Sequence, residues 1–181
     1  MEGCKDSKER RLVQVYTGGG KGKTTAAWGQ AIRAVGCGWK VAVVRFLKTR
    51  TSGECKACER LAPELALYGD TSSYDPCVDQ RESPVLRQES RRNFELAKGL
   101  ILSGEWDMIV LDEINVVLYY GFVSREEMLE TLRLRPAGTE IVLTGRYAPD
   151  WLIEAADLVT EMVEVKHPSN NGLKARRGTE Y

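Results

Sequence analysis

Nothing in this 181-residue sequence supplies a surplus of charge: 26 Lys and Arg face 26 Asp and Glu, for a net charge of zero. That balance gives no bulk electrostatic reason to expect nucleic acid or an acidic membrane surface as a partner. No apolar run approaches the ~20 residues that span a bilayer. The first residues, Met1-Glu2-Gly3-Cys4-Lys5-Asp6, are polar and lack a signal peptide's apolar stretch. The five cysteines, Cys4, Cys37, Cys55, Cys58 and Cys77, are odd in number and lack framework spacing, which suits a reducing compartment. These absences lead to the expectation of a cytoplasmic protein with no membrane and no nucleic-acid partner. Repeats and low-complexity segments are also missing. With 43% hydrophobic residues, the chain has enough apolar material for one domain over residues 1–181, with residues 1–11 as a charged, mobile arm.

What is present begins with an apolar run, Leu12-Val13-Gln14-Val15-Tyr16, followed by Thr17-Gly18-Gly19-Gly20-Lys21-Gly22-Lys23-Thr24-Thr25 and a helical pattern from Ala26. Strand, glycine loop and helix in that order predict a phosphate-binding loop. Glycines let the backbone curl its N–H groups around phosphate oxygens, and the helix N-terminus adds partial positive charge. Gly18, Gly19, Gly20, Lys21, Gly22, Lys23, Thr24 and Thr25 are therefore the candidate ATP-binding residues, with Lys23 supplying a full charge and the Thr24 hydroxyl placed for Mg²⁺. Thr17 stands where the common form of this motif has its first glycine.

Further on, Asp107-Met108-Ile109-Val110-Leu111 reads as a buried strand ending in Asp112 and Glu113. An acid at that place in a phosphate-loop protein holds Mg²⁺ beside the loop's Ser or Thr. The other buried strands are Trp39–Leu47 and Glu140–Thr144, Leu158–Val165 is a final strand, and Lys48–Gly53 reads as a polar loop. Helices are expected over Lys23–Val35, with Ala27, Ala31, Ile32 and Val35 as its apolar stripe, and over Glu54–Ala62. A long helix over Pro84–Ser103 should bury Leu86, Phe94, Leu96, Leu100 and Ile101; Ser83 is its N-cap and Gly104 its stop. Ile114–Tyr120, a helix opened by the Ser124 capping box, and Pro149–Ala156 follow. Tyr68 to Pro76 is a loop by composition. The alternation predicts an α/β fold of the phosphate-loop NTPase (RecA-like) type, a mostly parallel sheet with helices on both faces. Ligands then gather beyond the strands' carboxyl ends, where the glycine loop, Asp112-Glu113 and Arg146 all fall.

Several stretches together resemble one family, the ATP:corrinoid adenosyltransferases of the CobA/CobO/BtuR type. They are Tyr16–Ala27, Val110–Asn115, Leu143–Arg146, Ala148-Pro149, Ala156–Met162, Lys166-His167-Pro168 and Gly172–Ala175, in family order over roughly residues 12–181. The Thr17 variant of the loop is also what the family shows. The resemblance implies that a Co(I) corrinoid attacks the 5′ carbon of ATP and releases triphosphate, in coenzyme B12 synthesis or salvage. Mg²⁺ and an electron-donor protein such as a flavodoxin or another reductase are then expected, and a homodimer is compatible with it. Displacement at saturated carbon by so strong a nucleophile needs no general base, only alignment and charge stabilisation on the leaving triphosphate. Lys23, Lys21, the loop N–H groups, and Mg²⁺ on Thr24 with Glu113 or Asp112 fit that task; Lys23, Thr24 and Glu113 are the candidate catalytic residues. Arg146 reads either as a further triphosphate ligand or as a surface arginine.

Residues 50–90 depart from the family, which carries there an aromatic stretch that lies against the corrinoid; Tyr68 and Tyr74 are the candidate replacements. The same region holds Cys55-Lys56-Ala57-Cys58 and Cys77, read either as free thiols or as a metal or redox site. His167, the lone histidine, is read as structural or phosphate-adjacent rather than as a cobalt ligand. Two other functions remain open on the residues alone: an ATP-hydrolysing switch with Glu113 polarising water, and a carrier of the adenosylated corrinoid.

Overall fold

The structure is a computed structural model that describes residues 10–48, 52–71, 74–75 and 80–179. Six parallel strands form one sheet in the order β3-β2-β4-β5-β1-β6. They are β1 Val13–Thr17, β2 Val41–Arg45, β3 Leu65–Tyr68, β4 Met108–Asp112, β5 Glu140–Thr144 and β6 Leu158–Glu161. Strands β1, β2, β4 and β5 are buried at every position, so they are mostly apolar without the alternation of a half-exposed strand, and their polar residues Gln14, Thr17, Arg45, Asp112, Glu140 and Thr144 are buried as well. Two strands are shorter than expected: β2, expected over residues 39–47, ends at Arg45 before the left-handed turn at Leu47, and β6, expected to reach residue 165, ends at Glu161, opposite the last residue of β1.

Strand β3 was not expected. Leu65-Ala66-Leu67-Tyr68 is only four residues long and stands between Pro63 and Gly69, so its sequence carries too little periodicity to mark a strand. Pairing with β2 in the register Val41–Leu65 to Val44–Tyr68 makes it one.

Helices α1 Lys23–Gly36 and α2 Gly53–Arg60 cover one face of the sheet. On the other lie α3 Pro84–Ser103, α4 Ile114–Tyr119, α5 Arg125–Leu134 and α6 Asp150–Ala155. The α1 stripe is Ala27, Trp28, Ala31 and Ala34, whereas Ile32 is half exposed. Small alanines let α1 lie close to the sheet, and Trp28 fills the space they leave. In α3 the buried line runs Leu86, Ser90, Asn93, Phe94, Ala97 and Ile101, one residue out of phase with the expected Leu96. Fully burying side chains the size of Phe94 and Ile101 stabilises the fold by roughly 2–3 kcal/mol each.

Both helix boundaries expected from caps are present. Ser83 accepts a hydrogen bond from the Leu86 N–H with Pro84 at the first position, and Gly104 takes the left-handed conformation that ends α3. Ser124 and Glu127 form the reciprocal capping box of α5, and Glu127 also accepts two bonds from Arg91 at 2.7 and 2.8 Å, tying α5 to α3. The Ser124 backbone N–H and then Arg91 hold the Glu127 carboxyl below its ordinary value.

A depressed folded-state pKa means that Glu127 contributes stability above its ordinary value and loses it as pH falls through the folded one. We expect Glu127→Gln to lower stability by about 1 kcal/mol at pH 7. Urea titrations of both proteins should converge as the pH is taken below the ordinary glutamate value; a difference independent of pH would exclude the charge as the cause.

Candidate functional site

The loop between β1 and α1 takes its shape from two constraints. Thr17 is still in the strand, paired with Glu161, and its Oγ1 accepts the Ala148 N–H at 3.2 Å, which is why a side chain rather than glycine serves there. Gly18 has φ +96°, and a Cβ on it would sit 2.5 Å from the Met162 carbonyl oxygen. The chain after β6 therefore packs directly on the loop, where the Gly20 N–H donates to Met162 O at 2.6 Å. Lys23 opens α1 and folds back, its Nζ donating to the Gly18 and Gly20 carbonyls at 2.7 Å each. Burial lowers the Lys23 pKa, with Arg146 and Lys48 adding to that and Glu113 opposing it.

Asp112, the last residue of β4, is fully buried and satisfied by three neighbours. Thr24 Oγ1 and Thr144 Oγ1 both donate to its Oδ1, at 2.9 and 2.7 Å, and Lys48 Nζ donates to its Oδ2 at 2.8 Å. Burial opposes the charge, yet Lys48, Thr144 and Thr24 together hold the carboxyl below its ordinary value. Glu113 follows with φ +72°, its N–H donating to Thr144 Oγ1 at 3.0 Å and its Oε1 lying 3.4 Å from Lys48 Nζ. For Glu113 burial wins and, with the Asp112 charge, raises its carboxyl pKa against the pull of Lys48 and Lys23.

The sheet edge thus gathers Lys23, Thr24, Asp112 and Glu113, and Arg146, at the exposed turn after β5, stands within electrostatic reach of Lys23. Lys21 reaches instead to the chain's end, donating to Thr179 O at 2.9 Å, and Thr25 is exposed on α1. The oxygens of Thr24, Asp112 and Glu113 all face one cationic nitrogen, so this donor set of hydroxyl and carboxylates suits a hard divalent cation such as Mg²⁺.

Lys48 was hidden in the sequence inside a polar loop; its only signal is its place just beyond a buried parallel strand. Asn115 is another such residue, buried and donating to the Tyr16 and Gly145 carbonyls at 3.3 and 3.0 Å, which clips β1, β4 and β5 together at this edge. Aromatic side chains also collect here. Half-buried Tyr74 hydrogen-bonds Tyr120 and lies within electrostatic reach of Glu113 and Arg146, and burial foremost raises its phenol pKa. Tyr120 continues into Phe122 and Tyr119, and Tyr119 stacks on exposed Tyr147 with centroids 4.7 Å apart. The adjacent tyrosines after Asp112-Glu113 were the available signal. Tyr68 is not part of this group, since its partly buried ring packs edge-on against Trp106 at the margin of the core.

The thiols of α2 meet protein groups. Arg45 Nη1 donates to Cys55 Sγ at 2.7 Å, and Cys58 Sγ donates to Leu65 O at 3.2 Å. Cys77 lies outside the described residues, as do residues 1–9 of the expected arm. Arg10 and Arg11 are described, the first paired with Asp157 and the second 3.5 Å above the Trp39 ring. Among the described residues no three His, Cys, Asp or Glu side chains form a metal-holding group, and no helix is long and apolar enough to cross a membrane.

A parallel sheet with a glycine loop opening α1 after β1 and a carboxylate at the end of β4, one strand removed across β5, is an α/β fold of the phosphate-loop type. Comparison with known proteins narrows the class. The family model described as ATP:corrinoid adenosyltransferase BtuR/CobO/CobP matches residues 9–181, and the chain belongs to that family of transferases. Relatives named corrinoid adenosyltransferase occur in Pseudomonas aeruginosa, 36% identical over 96% of this chain and 85% of theirs, and in Escherichia coli K12, 37% identical over 96% and 87%. A Salmonella typhimurium relative, corrinoid adenosyltransferase CobA, is 34% identical with the same coverage as the Escherichia coli protein.

Gly145 has φ +134°, and a Cβ there would lie 3.0 Å from Asn115 Cβ and 3.3 Å from Glu113 Oε2. Gly145→Ala should therefore cost about 2 kcal/mol of stability by chemical denaturation. An unchanged denaturation midpoint would show that this turn relaxes freely.

Proposed function

We propose that this chain adenosylates a Co(I) corrinoid with ATP, releasing triphosphate. The observation that carries the reading is the meeting, at one sheet edge, of a phosphate cradle built on Lys23 and Thr24, the Asp112-Glu113 carboxylates, and the Tyr74, Tyr120, Tyr119 and Tyr147 side chains. Membership of the family supplies the reaction class.

The bond that forms joins cobalt to the ribose 5′ carbon; the bond that breaks is that carbon's bond to the triphosphate oxygen, which leaves with its electron pair. No proton moves in this step, so the Glu113 carboxylate is not required as a base. The leaving oxygens gain negative charge, and donors already fixed in place lower the barrier most. Lys23 turns from its two loop carbonyls to the triphosphate, and the free N–H groups at the start of α1 add to the cradle. Thr24, Asp112 and Glu113 would hold Mg²⁺, which when bound neutralises triphosphate charge. Arg146 binds the outer phosphates, and the tyrosines give the corrin ring a flat apolar flank in place of the family's aromatic stretch. Mg²⁺, an electron-donor protein that keeps cobalt reduced, and a cytoplasmic setting complete the proposal.

An anaerobic assay with ATP, Mg²⁺ and chemically reduced cobalamin tests it: adenosylcobalamin and triphosphate should appear in equal amounts. ADP and phosphate without an alkylated corrinoid would instead establish an ATPase. Lys23→Ala should reduce kcat by about 100-fold or more while leaving the unfolding midpoint nearly unchanged. Wild-type turnover in that variant would remove Lys23 from the site.

A further inference from the structure

The three side chains assigned above to a divalent cation already share one cation that the chain itself supplies. Lys48 Nζ donates to Thr24 Oγ1 at 2.6 Å and Asp112 Oδ2 at 2.8 Å, and lies 3.4 Å from Glu113 Oε1. An ammonium carries three protons, and these three oxygens account for all of them. Thr24 gives its single hydroxyl proton to Asp112 Oδ1, so Lys48 uses the oxygen lone pair that a metal ion would take.

The backbone builds this placement. Leu47 is buried at 2% exposure with φ +50°, a conformation unfavourable for a leucine, and it turns the chain after β2 so that Lys48 comes back over the end of β4. The turn is tied down by the Phe46 N–H, which donates to the Asp112 carbonyl at 2.9 Å, and by the Thr71 N–H, which donates to the Lys48 carbonyl at 3.0 Å. Glu113, just beyond the end of the adjacent strand β4, has φ +72°. Two strained residues therefore aim an ammonium and a carboxylate at each other. Strain of this kind persists where the surrounding structure enforces it, and it concentrates at ligand sites.

We propose that Lys48 is a built-in counter-cation: in the metal-free protein its ammonium stands in the divalent-metal position, and metal entering with the nucleotide displaces it onto the triphosphate. The inference rests on reading this edge as a metal–nucleotide site and goes beyond it by assigning Lys48 a role in the order of binding. A metal arriving alone must evict a fully hydrogen-bonded cation from a carboxylate pair and leave it without an anion. A metal arriving with triphosphate brings the anion that receives the evicted ammonium, so free metal binds weakly and metal–nucleotide binds well. The same exchange keeps the buried Asp112 carboxylate paired in both states.

The test is a titration of the full chain with Mn²⁺ alone, without nucleotide or corrinoid, following free Mn²⁺ by electron paramagnetic resonance. Lys48→Met should bind Mn²⁺ about tenfold or more tightly than the wild type, and Lys48→Arg, which keeps the charge, should stay as weak as the wild type. Metal-free Lys48→Met should also unfold at lower urea, and Mn²⁺ should restore more of its midpoint than it adds to the wild type. A Lys48→Met protein that folds only with Mn²⁺ present supports the proposal too. Equal affinities in wild type and Lys48→Met, weaker binding in Lys48→Met, or no Mn²⁺ binding by either would overturn it. Because ATP and corrinoid are absent, a protein that proved to be an ATPase would still give the tighter binding in Lys48→Met, so this test and that of the proposed function fail separately.

Discussion

At the end of β4 a carboxylate is held entirely out of water, and the rest of the site is arranged to make that tolerable. Asp112 receives two hydroxyl protons and one ammonium proton from three different parts of the chain: α1, the turn after β2, and β5. A buried carboxylate without such partners would cost several kcal/mol, so each partner is constrained to its place as strongly as the acid is. Thr24 then fixes where α1 begins, Thr144 fixes the register of β5 against β4, and Lys48 fixes the course of the chain beyond β2.

That arrangement also explains why strained backbone collects at one end of the sheet. Among the described residues, the non-glycine residues with positive φ are Leu47, Glu113 and Tyr147, each just beyond a strand, after β2, β4 and β5. A strand's last residue points straight on, whereas a site above the sheet needs side chains turned across it. The left-handed conformation makes that turn in a single residue, and the packed sheet below supplies the stability that offsets it.

The same edge carries two kinds of chemistry side by side. Toward α1 it is polar, with Lys23, Thr24 and the carboxylates. Toward the ends of α4 and β5 it is aromatic, with Tyr74, Tyr119, Tyr120 and Tyr147 in a chain of ring contacts and one hydrogen bond. The transfer proposed above, between a triphosphate-bearing nucleotide and a large flat ring, would use that pairing: the polar half for the charge leaving the carbon, the apolar half for the acceptor.

The order of elements apart from β3, the glycine loop, the two carboxylates and the capped helices α3 and α5 were legible in the sequence, because each rests on local chemistry. Glycine freedom, a cap hydroxyl or an unbroken apolar run acts within a few residues of itself. The misread stripe of α1 and the unseen strand β3 show where local chemistry stops: Ile32 and Trp28 are both apolar, and only packing against the sheet chose which one is buried. The site divides in the same way. Sequence alone marked Lys23, Thr24, Asp112 and Glu113 as members of one site at the strand ends. Only the tertiary structure joined Lys48, Asn115, Thr144 and Tyr119, Tyr120 and Tyr147 to them, because contacts between residues 24, 48, 112 and 144 depend on parallel strands laid side by side, and no spacing along the chain encodes that neighbourhood.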